Sequence, residues 1–130
     1  MFSINPAYDY QRGDYGIGGV DERMELYRRC EREGVGISVM KAFGGGQLLD
    51  ERTSPFGKAL TEYQCIQYAL DKPGVITVLP EVRSCQDLRR ILGFTDALPK
   101  KRITRILGHL RRRRQNGLMC VLQSLPAIVR

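Results

Sequence analysis

Three short runs, "MFSIN" (1–5), "VGISVM" (35–40) and "VITVL" (75–79), begin 34 and 40 residues apart and are nearly continuous in apolar or β-branched residues. Such runs suit strands buried on both faces, and each interval has room for one helix and its loops. That spacing is the rhythm of βα units built on a parallel sheet. It predicts adjacent, sequential, parallel strands near 2–5, 36–40 and 75–79, with helices over one face.

The intervals carry helix signals. From Asp21, "DERMELYRRCERE" opens on a capping residue, aligns Met24, Tyr27 and Cys30 along one stripe, and stops at Gly34. Thr61 and Gln64 form a capping box for "EYQCIQYALD", which ends at Pro73-Gly74. Ser84 opens "CQDLRRIL", closed by Gly93, and Pro99 begins a fourth pattern with Ile103, Ile106, Leu107 and Leu110 on one stripe. The order is β-α-β-α-β-α-α. Three parallel strands leave two open edges, and the first begins at Met1, so the chain reads as part of a larger α/β architecture.

Charge is unevenly placed. Residues 1–96 carry 12 Lys/Arg against 14 Asp/Glu, whereas residues 97–130 carry 9 Lys/Arg and no acid, so the net +7 belongs to the tail. A run of four arginines, Arg111–Arg114, is a candidate polyanion or nucleic-acid contact. No aromatic residue interleaves it and no base-reading motif accompanies it, which argues against a specific nucleic-acid partner. The longest apolar stretch, "LMCVLQSLPAIV", has 12 residues interrupted by Gln, Ser and Pro, too short to span a bilayer. Cys30, Cys65, Cys85 and Cys120 lie 20 or 35 residues apart without a C-x-x-C pair, and no secretory signal precedes them. Free thiols in a reducing cytoplasm are the expectation.

Ligands of α/β proteins bind where strands end and helices begin, here "NPAYDY", "KAFGGGQL" and "PEVRS". Gly44-Gly45-Gly46 permits close backbone approach to a phosphate, although a plain strand-to-helix loop explains it as well. Neither G-x-G-x-x-G after a strand nor Gly-Lys-Ser/Thr is present. Arg83 and Ser84 bring a cation and a hydroxyl to a helix start, which suits a phosphate; a simple Ser cap beside a solvated Arg fits equally. His109 is the sole histidine, so neither a triad nor a metal site assembles around it, and no catalytic or metal residue is assigned. Cys30 and Cys65 fall on apolar stripes and read as core. Asp9, Asp14, Asp21 and Glu22 read as loop and first-turn acids.

Taken together, "MFSINPAYD", "GVGISVMKAFGGGQLL" and "QCIQYALDKPGVITVLPEVRS" resemble the C-terminal part of aldo/keto reductases over residues 1–110. The branch is the bacterial one whose barrel continues into a ferredoxin-like iron–sulfur extension. The resemblance implies that the strands are the sixth to eighth of a TIM (β/α)8 barrel, so that the fold is a partial barrel of three βα units with a C-terminal helix and an irregular tail, 111–130. It also implies NADP(H)-dependent carbonyl reduction. Lys41, Ala42, Phe43, Pro80, Val82, Arg83 and Ser84 would hold the cofactor, with Arg83 and Ser84 on the adenosine phosphate and Asn5 at the nicotinamide end.

The chain also departs from the family at several points. The family's catalytic Asp, Tyr, Lys and His come from earlier strands, so the chain alone is expected to be inactive and to need an N-terminal half of the barrel as partner. Glu81 stands where the family has Gly and Lys41 where it often has an aromatic ring, so NADP(H) binding is expected to be weak or absent, and Arg89-Arg90 displaces an adenine contact. The tail occupies the place of a cysteine run for a [4Fe–4S] cluster. Codons for Met119 to Leu125, read one nucleotide later, permit C-V-Y-C-N-H-C, so the tail reads as a frame-shifted remnant that holds no cluster.

Overall fold

The computed structural model describes residues 1–10 and 19–97. Asp14, the pattern from Pro99, His109, Arg111–Arg114, Cys120 and the expected boundary after residue 110 lie outside the described residues.

In chain order the elements are β1 (Phe2–Ser3), α1 (Pro6–Tyr10), α2 (Val20–Arg32), β2 (Ile37–Met40), a 3-10 turn at Gln47–Leu49, α3 (Glu62–Leu70), β3 (Val75–Val78) and α4 (Cys85–Leu92). The strands form one parallel sheet in the order β1-β2-β3. Phe2 pairs with Val39 and Val39 with Val78. Ile37 pairs with Val75 but Ser38 with Thr77, so Ile76 is an extra residue, a bulge. The sheet is open, with β1 and β3 as edges among the described residues.

The local signals explain the helix ends. Thr61 and Gln64 make the expected box: Gln64 N–H donates to Thr61 Oγ1 at 3.2 Å and Thr61 N–H to Gln64 Oε1 at 3.0 Å. Ser84 Oγ accepts from Asp87 N–H at 3.1 Å at the start of α4. The start of α2 differs from expectation. Gly19 is the cap, and its N–H donates to the Glu22 carboxylate at 2.7 Å; Asp21 lies inside the first turn. Glu22, three residues on, thus satisfies the N–H of the cap residue itself, the half of a capping box that the third helical residue provides. At the other end, Gly34 adopts φ 71° and Val35 N–H returns to Cys30 O at 2.8 Å. Removing the exposed box by Thr61→Ala is expected to cost about 1 kcal/mol, read as a shift of the urea midpoint at unchanged slope.

One apolar layer holds the fold. Ile4, Ile37 and Val39 from the sheet pack with Met24 and Tyr27 of α2, and with Cys65, Ile66, Tyr68 and Ala69 of α3. Phe2 meets Tyr27 edge-on at 6.1 Å. Burial on both faces of the sheet, expected from the apolar runs, is not what forms. Met40 and Leu79 are exposed, and Ile76 is 71% exposed, because no second layer covers that side among the described residues. α4 likewise leaves Leu88 and Leu92 exposed, and its anchoring comes from Ile91 and Phe94 against the core. Tyr63 secures the end of α4 by donating its hydroxyl to Arg90 O at 2.9 Å and stacking edge-on against Phe94 at 6.0 Å.

Candidate functional site

The strand ends are organised by Asn5-Pro6, a cap followed by proline at the first helical position. Asn5 is fully buried; its Oδ1 accepts Tyr8 N–H at 3.0 Å and its Nδ2 donates to Lys41 O at 2.8 Å. The second bond ties the end of β1 to the residue after β2. Lys41 adopts φ 59°, the single non-glycine at positive φ among the described residues. Gly44 N–H shares the same carbonyl at 2.9 Å. Gly44, Gly45 and Gly46 follow at φ 60°, 69° and 90°, so the triple glycine is a tight left-handed turn that only glycine forms without strain.

Two adjoining clefts open there. One, of about 230 Å³, is lined by Met40, Lys41, Ala42, Phe43, Gly45, Leu79 and Glu81. The other, of about 180 Å³, shares Phe43, Gly45 and Glu81 and adds Arg83, Asp87, Arg90 and Ile91 among others. Buried Ala42 and Phe43 form the floor, whereas Lys41 is exposed at the rim. The resemblance-derived residues thus divide. Lys41, Ala42, Phe43 and Arg83 line the clefts; Pro80, Val82 and Ser84 belong to the β3–α4 loop without lining them. Asn5 does not face the clefts as a ligand contact would. Its amide is committed to Lys41 and Tyr8, and it positions the loop.

The phosphate-binding groups expected after β3 are also committed. Arg83 places Nε and Nη2 on one oxygen of Glu81, at 2.8 and 2.7 Å. Arg83 N–H points at Asp87 Oδ2 at 3.3 Å, and Ser84 Oγ takes Asp87 N–H. Arg90 bridges Asp87 and Glu62, the latter at 3.3 Å. The Ser84 hydroxyl, then the Arg83 backbone N–H and the Arg90 charge, hold the Asp87 carboxyl below its ordinary range, while partial desolvation opposes them. The second cleft therefore presents Glu62, Glu81 and Asp87 against Arg83 and Arg90. These residues do not fit an added 2′-phosphate: the donors already have acceptors, and the carboxylates outnumber the guanidiniums.

A second polar cluster was not legible as such in the sequence. Asp9, expected as a loop acid, is 4% exposed and joins three elements. It accepts the Tyr68 hydroxyl, lies 3.5 Å from Arg23 Nε, and lies 3.7 Å from Lys72 Nζ, which stacks 3.6 Å above the Tyr68 ring. Arg23 in turn donates to Ser3 O and, at 2.9 Å, to Tyr27 Oη. Burial, above all, raises the Tyr27 hydroxyl's pKa.

Cys65 behaves as the sequence suggests, fully buried and pushed up to about 12 by desolvation, which leaves it unreactive. Among the described residues no set of three His, Cys, Asp or Glu is placed to hold a metal, and no helix is long and apolar enough to cross a membrane. Compared with family models, curated proteins and solved structures, the chain matches none.

Proposed function

We propose that this chain is three βα units of a (β/α)8 barrel of the aldo/keto reductase kind, a carbonyl-reducing oxidoreductase that is inactive by itself. The observation that carries the reading is the meeting of the loops after β2 and β3 at one pair of clefts, beside the carboxyl ends of parallel strands. Lys41, Ala42, Phe43 and Arg83 would border the cofactor, which when bound supplies the hydride. The general acid and its partners would come from an N-terminal half of the barrel, which would also cover the open side of the sheet and pair with its edges.

The purified chain with NADH or NADPH and simple aldehydes or ketones is expected to show no absorbance loss at the cofactor band above the enzyme-free rate. Addition of a polypeptide carrying the first five βα units of such a barrel is expected to restore turnover. Steady oxidation by the chain alone would refute the inactivity, and failure of a folded complex to turn over would refute the assignment to carbonyl reduction.

A further inference from the structure

On the nucleotide reading just given, we propose that the cleft after β3 selects a dinucleotide whose adenosine ribose has a free 2′-hydroxyl, so that NAD(H) binds in preference to NADP(H). The inference starts from the Arg83 fork. Both of its inner donors converge on a single Glu81 oxygen, and the partner lies two residues away on the same short loop, so the contact needs little additional ordering of the chain. A phosphate arriving at Arg83 must displace this carboxylate or sit beside it. The remaining phosphate donors are no freer: the Ser84 hydroxyl and the Arg83 N–H, which lie at the start of α4, already face Asp87.

Charge acts in the same direction. Glu62, Glu81 and Asp87 line one cleft with two guanidiniums, and a phosphate carrying nearly two negative charges would add to the side already in excess. A ribose diol has the opposite requirement. It presents O–H donors, and a carboxylate accepts them through oxygens that an ion pair leaves available; Glu81 spends only Oε1 on Arg83. Acidic side chains beside a ribose 2′-hydroxyl are how dinucleotide sites favour the unphosphorylated cofactor. Because the Glu81–Arg83 pair is exposed at the cleft mouth, its influence is modest, a matter of severalfold selectivity rather than complete exclusion.

The test titrates the full chain separately with NADH and NADPH at low ionic strength, reading the cofactor's own fluorescence. NADH is expected to bind about fivefold more tightly. In Glu81→Gln, which keeps the side chain's length and removes its charge, NADPH binding should tighten about threefold while NADH affinity stays level or falls. Equal or tighter NADPH binding by the unaltered chain would overturn the selectivity and leave the nucleotide cleft standing. Absence of binding by both cofactors at millimolar concentration would overturn the cleft reading, and the selectivity with it. An unchanged NADPH affinity in Glu81→Gln, with the unfolding midpoint unmoved, would overturn Glu81 as the cause.

Discussion

Replacing Asp9 by Ala is expected to lower the unfolding free energy by about 3–5 kcal/mol. Arg23 and Lys72 both form ion pairs with this carboxylate, and the side chains of Arg23, Lys72 and Asp9 are 10%, 12% and 5% exposed. Removing it leaves two cations in a poorly solvated site and takes the acceptor from the Tyr68 hydroxyl. Asp9→Asn retains the shape and an acceptor for Tyr68 but not the charge, so its loss should be nearly as large. The control is Glu25→Ala, which breaks an exposed pair with Arg32 at 3.0 Å and should change stability by at most about 1 kcal/mol. Urea unfolding followed by far-UV circular dichroism measures all three. Equal small losses for Asp9→Ala and Glu25→Ala would show that the cluster contributes no more than a surface pair.

Gly74→Ala should cost about 2–4 kcal/mol, from two independent sources. Gly74 sits at φ 72° just before β3, where a side chain strains the backbone. The added Cβ would also lie 3.2 Å from Glu31 N and 3.3 Å from Tyr27 O, and both neighbours are backbone atoms of α2 that cannot swing aside. To relieve the contact α2 must move off the start of β3, loosening Ile37 N–H from Gly74 O, a 2.8 Å bond at the head of the central strand. Gly45→Ala, at φ 69° but with nothing within 4 Å of the new atom, isolates the backbone share and should cost about 1–2 kcal/mol. The difference between the two variants, read from the same unfolding curves, measures the packing share.

These two sites show what the sequence could and could not reveal. The starts of α3 and α4 depend on neighbours within four residues, and their caps form as read. Asp9 and Tyr68 are 59 residues apart, and their meeting depends on how α1 and α3 pack. Arg23 was hidden for a related reason: placed among Asp21, Glu22 and Glu25, it reads as a member of a solvated helix face, yet it is 9% exposed beneath α1 and β1. The five residues of α1 are too few for a periodic signal, although Asn5-Pro6 contained its cap and first position. In the candidate site the loops were found from strand ends alone. Spacing alone leaves Arg83 and Ser84 open between phosphate binding and ordinary capping, the resemblance points to the phosphate, and the string of letters does not disclose how completely Glu81 and Asp87 occupy them.

The bulge at Ile76 bears on how the protein behaves in concentrated solution. A flat outer strand invites other chains to stack against it and grow into insoluble aggregates. Here β3 is only four residues long, and its hydrogen-bond rhythm breaks after the first of them, where Ile76 folds across the glycine at position 36. An incoming strand would find no long uninterrupted stretch to copy. Among the described residues the outer edge of β3 is therefore a poor template for stacking, even with a bulky apolar side chain in full view of solvent.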